Sequence, residues 1–374
     1  MANHPIRILN LFTIMDCGGA ETMVMNYFRN IDRTKVQFDF MVHREERGVY
    51  DDEIERLGGK IYRMPQIRPW SSNSYRKAVR NFYASHPEYR IIHSHMSELG
   101  IYDFIEAEKQ GVPCRICHAH NRPYGIDLKS PVRWYYKTRM IPHITHMFIC
   151  GKESGDWLFG KKNVGQFIQM NNAIDAKKYS YDAQTRQHIR KGLDIAPSQL
   201  VVGHIGRFSA QKNHTFILDI FQGVLKAVPD AILLLIGDHK TEIGAQMIDK
   251  AEKLKVDRQV RFLGVRDDIP DLLNAMDVFL FPSLFEGLSV ASIEAQAAGL
   301  PCLISDKVPI ECKKTDLVKQ ISLTSSTEKW AEEVIAAAKT ERRNTYREIA
   351  AAGFDIKENT EWLENFYLHA ANGE

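Results

Sequence analysis

The chain predicts a doubly wound α/β fold repeated in two halves, and three observations carry that expectation. Short apolar runs of strand length alternate with amphipathic, helix-length segments along most of the sequence. The alternation is interrupted once, at the polar stretch 171–180, and then restarts. The length of 374 residues corresponds to two to three domains at about 150 residues each. Strands separated by helices read as βαβ units, hence as a parallel sheet wrapped by helices.

Taken in order, residues 7–14 are the first strand, 20–31 a helix and 36–42 the second strand. Further strands are expected at 60–64, 91–94, 115–119 and 146–150, with helical segments between most of them. After the boundary come a strand at 200–205 and a helix at 214–228. Strands at 231–236, 259–263, 278–281 and 301–305 follow. The last hundred residues turn helix-rich, with Ala331, Val334, Ile335 and Ala338 at helical spacing. Two doubly wound domains imply a cleft between them. Ligands in such sheets bind beyond the carboxyl ends of strands, so chemistry is expected in the loops that follow strands.

Composition excludes several classes. Apolar residues make up 44% and charged residues 26%, which is globular rather than disordered. Lys plus Arg is 49 against 47 for Asp plus Glu, a net charge of +2. A dedicated nucleic-acid binder carries a stronger basic excess, so no nucleic-acid partner is expected. No apolar run reaches the roughly 18 residues of a membrane-spanning helix. Residues 8–15 have the length of a signal core, but Asn10 interrupts them, Asp16 follows, and no small-residue cleavage site is present. A cytoplasmic protein with six reduced cysteines is therefore expected.

Three constellations carry chemistry. Asp16-Cys17-Gly18-Gly19-Ala20-Glu21 joins the first strand to a helix. Its glycines let backbone approach a ligand, and a helix N-terminus favours anions; a tight turn without a ligand is the equal alternative. No dinucleotide fingerprint and no Walker A pattern occurs. The loop Gly206-Arg207-Phe208-Ser209-Ala210-Gln211-Lys212-Asn213 follows the first strand of the second half. Arg207 can fork onto phosphate oxygens and Lys212 can act as a point charge; a solvated basic loop is the alternative. The third stretch runs from Phe285 to Ala295 and separates Glu286 from Glu294 by seven residues. Glu286 falls in a loop and Glu294 inside a helix starting near Ser289. That start offers the backbone amides of Leu288, Ser289 and Val290. Glu286 suits sugar hydroxyls and Glu294 a ribose diol, whereas plain surface charge is the alternative. The alanine-rich neighbourhood of Glu294 argues for partial burial, and a buried carboxylate needs a partner.

These residues carry a family resemblance. The pair in Phe-Glu-Gly-Leu-Ser-Val-Ala-Ser-Ile-Glu-Ala resembles the E-x7-E signature of the retaining glycosyltransferases of family 4. Gly-Arg-Phe-Ser-Ala-Gln-Lys-Asn resembles that family's G-R-x-x-x-x-K-N loop, and Gly-Gly-Ala-Glu-Thr its N-terminal glycine turn. The likeness runs from Ile8 to about Gly299. Arg-Ile-Cys-His-Ala-His-Asn points toward bacterial exopolysaccharide and capsule enzymes. One departure is Leu288-Ser289, where family members often carry Phe-Gly.

The resemblance implies the GT-B fold: two Rossmann-like, doubly wound domains with an inter-domain cleft. Residues 1–174 are then the acceptor-binding domain, 175–355 the nucleotide-sugar donor domain, and a helix at about 356–374 packs back on the first, anchored by Trp362, Phe366 and Tyr367. It implies that Arg207 and Lys212 neutralise the donor diphosphate. Glu286 takes the donor sugar, Glu294 the ribose, and the amides of Leu288, Ser289 and Val290 face phosphate or sugar. Gly18 and Gly19 belong to the donor site, with Gly19 letting backbone close over the donor. Val265, in Gly264-Val265-Arg266, falls near the base. His118 is the counterpart of the family's catalytic histidine, with His120 and Asn121 as secondary candidates. The expected reaction moves a hexose-type sugar from a nucleotide diphosphate sugar, preferably a UDP-sugar, to a saccharide or lipid-linked saccharide. The alternatives are a GT-B epimerase and a non-catalytic sugar-nucleotide binder; a dehydrogenase lacks its glycine fingerprint.

Two further expectations concern metals and membranes. No Asp-x-Asp pair is present, and Arg207, Lys212 and a helix N-terminus can supply the positive field, so no cofactor and no metal is expected. Cys114-Arg115-Ile116-Cys117-His118 has haem-attachment spacing, but it reads as a buried strand. A zinc site from Cys114, Cys117, His118 and His120 conflicts with strand alternation. His93 and His95 end the preceding strand as structural or acceptor-side groups. Trp134, Tyr135 and Tyr136 among Arg133, Lys137 and Arg139 suit peripheral contact with anionic lipid at the inner face of the cell membrane; a buried aromatic helix is the equal alternative.

Overall fold

The computed structural model describes residues 4–67, 72–120 and 130–373. The chain forms two compact units, Met1–Ile174 with Ile356–Glu374, and Asp175–Asp355.

The first unit runs β1 (Ile6–Phe12), α1 (Gly19–Asn30), β2 (Val36–Val42), α2 (Asp51–Arg56), β3 (Ile61–Arg63), α3 (Ser72–Ser85), β4 (Ile91–Ser94), α4 (Ile101–Lys109), β5 (Cys114–Ala119), α5 (Ser130–Met140), β6 (His146–Ile149), α6 (Lys152–Leu158) and β7 (Phe167–Gln169). The strands form one sheet in the order β3-β2-β1-β4-β5-β6-β7. β1 pairs in parallel with both β2 and β4, so the winding reverses between β1 and β4. Every residue of β2 is buried, as befits a strand covered on both faces. Alternate side chains feed two cores. Ile8, Phe38 and Phe40 join Met23 and Tyr27 of α1 on one face. Leu9, Leu11 and Ile92 join Tyr75 and Val79 of α3 on the other.

The second unit runs α7 (Ala183–Gly192), β8 (Val201–Ile205), α8 (His214–Ala227), β9 (Ile232–Ile236), α9 (Glu242–Lys253), β10 (Val260–Gly264), α10 (Ile269–Ala275), β11 (Val278–Phe281), α11 (Val290–Ala297), β12 (Cys302–Ser305), β13 (Val318–Ile321), α12 (Thr327–Ala337) and α13 (Tyr346–Ala351). Its sheet has the order β10-β9-β8-β11-β12-β13, and the winding reverses between β8 and β11. Val202, Leu233 and Leu280 pack with α8 and Trp330 of α12, while Leu234, Phe279 and Ile304 face Leu272 and Ala295.

A last helix, α14 (Ile356–Asn372), belongs to the first unit. Its entry is fixed by the Ile356 amide, which donates to the Ile174 carbonyl at 2.9 Å. Ile356, Leu363, Tyr367 and Ala370 complete the first core, and Lys35 pairs with Glu364 at 2.7 Å. Phe366 packs on Phe148 at 5.0 Å between ring centroids and Trp362 at 6.0 Å. Among the described residues no helix is long and apolar enough to cross a membrane. All six cysteines are free thiols.

Two strands escape the sequence pattern. β7 has three residues, too few for a periodicity. β13 reads Val-Lys-Gln-Ile with only its ends buried, which imitates a polar loop.

Candidate active site

In an open α/β sheet the crevice for ligands lies where the winding reverses. In the second unit that point is flanked by the loop after β8 and the loop after β11, which carry the two charged motifs. The loops are stitched together. The Leu284 amide donates to the Gln211 carbonyl at 2.8 Å, Gln211 Nε2 to the Phe285 carbonyl at 2.9 Å and Asn213 Nδ2 to the Pro282 carbonyl at 3.1 Å. The Gly206 amide donates to the Ile236 carbonyl at 3.0 Å. Gly237 (φ +149°) passes so close to the Gly206 carbonyl that a Cβ there would overlap it.

This framework brings Lys212 Nζ to 2.7 Å from Glu286 Oε1, with side-chain exposures of 15% and 8%. The ammonium also sits 4.5 Å from the centroid of the Phe281 ring, a cation–π contact. Arg207 is exposed and makes no hydrogen bond or ion pair among the described residues, so its fork stays available. Behind Lys212, His204 donates from Nδ1 to the Leu280 carbonyl at 2.9 Å, and its buried Nε2 has no partner among the described residues. Glu294 lies in α11 and accepts the Tyr179 hydroxyl at 2.7 Å. Burial pushes its carboxyl up, against the lowering pull of that hydrogen bond.

The start of α11 differs from expectation in one respect. Ser289 is the N-cap and its hydroxyl accepts from the Ser292 amide at 3.4 Å. The Ser289 amide itself points to Cys312 Sγ at 3.5 Å, because the cap packs against the turn carrying that thiol. It is therefore already engaged, unlike the open donor expected beside Leu288 and Val290. Val265 is 69% exposed just past β10, where the Gly264 carbonyl accepts the Gly237 amide at 2.9 Å.

In the first unit the two glycines divide their tasks. A Cβ on Gly18 would strike the Glu21 carboxylate, while one on Gly19 would meet nothing within 4 Å. Gly19 thus leaves open space at the N-terminus of α1. His118 is the penultimate residue of β5, with no exposed surface. Its Nδ1 lies 3.2 Å from His93 Nε2 and its Nε2 3.2 Å from Cys150 Sγ. A direct contact with substrate requires those bonds to open. His120, two residues on, keeps some exposed surface and lies 3.2 Å from Cys150 Sγ through Nδ1. Burial lowers it to about 3, so it is neutral at physiological pH. Asn121 lies outside the described residues. Cys117 packs in the core opposite the one holding Cys114, as strand alternation requires.

The model of the family described as glycosyl transferases group 1 matches residues 199–339, from β8 through α12. The chain is 34% identical over 373 residues to the putative glycosyltransferase EpsF of Bacillus subtilis (strain 168), covering 96% of either chain. The chain belongs to the group 1 glycosyltransferases. This glycosyltransferase is also 29% identical over 283 residues, 72% of either chain, to the UDP-Gal:alpha-D-GlcNAc-diphosphoundecaprenol alpha-1,3-galactosyltransferase of Escherichia coli. Among solved structures, Anabaena HepE in complex with UDP aligns with a TM-score of 0.79 at 17% identity, over 97% of this chain and 100% of that one. That likeness identifies the two sheets of seven and six strands as the GT-B fold.

Two residues of the glycosyltransferase were not singled out from sequence. Tyr179 gives no signal, since its bond to Glu294 spans 115 residues. Cys150 could have been found by continuing the parallel register of β5 and β6, which pairs Ala119 with Ile149, by one residue.

Proposed function

We propose that this chain is a retaining hexosyltransferase that uses a UDP-sugar and a saccharide or lipid-linked saccharide acceptor, in exopolysaccharide or capsule assembly, without a metal ion. The observation that carries the reading is the Lys212–Glu286 pair at the winding reversal of the second unit, with Arg207 open beside it. The names of two similar proteins, one using UDP-Gal on a diphosphoundecaprenol-linked sugar and one crystallised with UDP, support the donor and acceptor classes.

In this reading Arg207 and Lys212 stabilise the departing diphosphate, the principal electrostatic task in such a transfer. Glu286 accepts hydroxyls of the donor sugar and orients the ammonium. Glu294, braced by Tyr179, takes the ribose, and Val265 borders the base. The bond from anomeric carbon to phosphate oxygen breaks while the acceptor oxygen bonds to the same face. The acceptor proton leaves to the departing phosphate. His118 serves the reaction centre, with His120 as the secondary candidate, and the contact of His118 with substrate opens its bonds to His93 and Cys150. The protein is cytoplasmic and rests on the inner face of the membrane through α5, whose Trp134 and Tyr135 are 65% and 52% exposed. That exposure supports the surface reading of these two rings.

The test is a thermal-shift panel with UDP, GDP, ADP and CDP, each with magnesium and with chelator. A nucleotide at about 100 times its dissociation constant adds about 2.7 kcal/mol of apparent stability. A shift with UDP that chelator leaves unchanged is expected. No shift with any nucleotide would remove the donor site.

A further inference from the structure

The loop that carries Glu286 is held at two points besides the cap of its own helix. Lys212 Nζ holds the Glu286 carboxylate at 2.7 Å. The second hold is the turn Ile310–Cys312, between β12 and β13. Cys312 has no exposed surface. Its Sγ lies 3.5 Å from the Ser289 amide and 3.6 Å from the Gly287 carbonyl. The two contacts run in opposite senses: the amide donates to sulfur, and the S–H donates to the carbonyl. One thiol with one proton satisfies both. Burial pushes that thiol up to about 11, against the pull of the Ser289 amide, and the Glu286 carboxylate adds to the rise. At physiological pH the group is therefore a neutral S–H and keeps the proton it donates.

The turn is itself fastened to α11. Gln296 is fully buried. Its Nε2 donates to the Ser292 carbonyl at 2.9 Å and to the Cys312 carbonyl at 2.8 Å, which uses both protons of the amide. Its Oε1 accepts the amides of Lys314 at 2.8 Å and Thr315 at 3.0 Å, and the Thr315 hydroxyl at 3.3 Å. The backbone that carries the thiol is thus fixed relative to the helix. Ser289 stands where family members often carry glycine, and it uses its hydroxyl for the cap and its amide for the thiol. Gly287 is the residue of the loop with the widest backbone freedom. A contact to its carbonyl restrains the chain where it is otherwise softest.

We propose that Cys312 is a positioning residue for sugar transfer: its thiol clips Gly287 and Ser289 on either side of Leu288, and so fixes the backbone that aims Glu286. The proposal rests on the reading of Glu286 as the group that meets the donor sugar. A group that touches substrate needs neighbours that lock its place to within about 0.5 Å, and a misplacement of about 1 Å costs about 100-fold in rate. Arg207 and Lys212 belong to the loop after β8, so loss of the clip spares the diphosphate contacts and falls on the sugar.

The test compares the full-length parent with Cys312→Ala and Cys312→Ser. Serine keeps one proton and one acceptor at the same place, on a shorter bond. In the ligand-free proteins, amide exchange over residues 287–290 is followed by mass spectrometry. It should run about 3- to 10-fold faster in Cys312→Ala and near the parental rate in Cys312→Ser. Release of UDP from UDP-galactose is then timed, and UDP affinity is measured by calorimetry. In Cys312→Ala kcat should fall about 10- to 100-fold with the Kd for UDP unchanged, and Cys312→Ser should recover part of that loss. A cysteine that only fills space would lower the melting temperature and leave kcat per folded molecule unchanged. That result would overturn the proposal, as would parental exchange in Cys312→Ala. Should Cys312→Ala fail to fold, Cys312→Val, which fills the space without either hydrogen bond, takes its place. UDP binding by the parent decides the donor reading separately: a parent that binds no UDP would remove that reading, and the exchange rates would still decide the clip.

Discussion

Lys212 is held by a carboxylate on one side and an aromatic face on the other. Its position is therefore set before any diphosphate arrives, which is the preorganisation that electrostatic catalysis requires. Glu286→Ala should lose most sugar transfer while keeping the native circular dichroism spectrum; turnover equal to the parent would remove Glu286 from the mechanism. The same pair has a stability consequence. Lys212→Met leaves the Glu286 carboxylate nearly buried without its cation, and breaking a buried pair from one side costs about 3–5 kcal/mol. The slight exposure of both groups puts the expectation near the lower end. Urea denaturation of Lys212→Met should show that loss, and the double variant Lys212→Met with Glu286→Gln should recover much of it. Lys212, Glu286 and Glu294 could be selected from sequence because charge, spacing and a helix start coincide there. The Tyr179 and Cys150 contacts depend on where distant segments come to rest, which a linear pattern does not encode.

At the scale of elements, the sequence specified the strands of both sheets, the three-residue β3 included, apart from β7 and β13. β2 and β11 have the expected bounds: β11 is a continuous apolar run, and β2, which also carries Gln37 and Asp39, is buried throughout. β7 and β13 sit at the edge of their sheets, where one neighbour suffices and burial is incomplete, so their composition carries little pattern. α5 illustrates a different limit. Its aromatic content fits a core helix or a surface one, and only the structure separates them: Met140 is the sole buried residue of the element. With Arg139 exposed beside Trp134 and Tyr135, the helix should bind vesicles containing anionic lipid. A basic residue near such a surface contributes about 1 kcal/mol, so Arg139→Ala should weaken binding about fivefold in a flotation assay. Protein that stays in the soluble fraction at all lipid concentrations would remove the contact.

The whole molecule should be acid-sensitive. Burial holds His214, stacked on Phe208 at 4.2 Å, at about 4, and keeps His204 well below the usual imidazole range. The unfolded chain protonates both near 6.5 while the folded chain does not. The unfolded state then binds more protons, so stability falls as pH drops from about 6.5 toward 4. His214 alone contributes about 1.4 kcal/mol per pH unit across that window. His214→Phe should flatten the dependence of the denaturation midpoint on pH; an unchanged slope would assign the acid sensitivity elsewhere. Chain order adds a constraint of another kind. The first unit's core includes Ile356, Leu363 and Tyr367 of α14, yet Asp175–Asp355 is translated in between. At about 5–20 residues per second, the ribosome makes the intervening segment over roughly ten seconds or more. The second unit can close during synthesis while the first waits with an apolar face uncovered. That waiting nascent chain is the natural client of a chaperone, and the yield of folded protein should respond to how fast the second half is made.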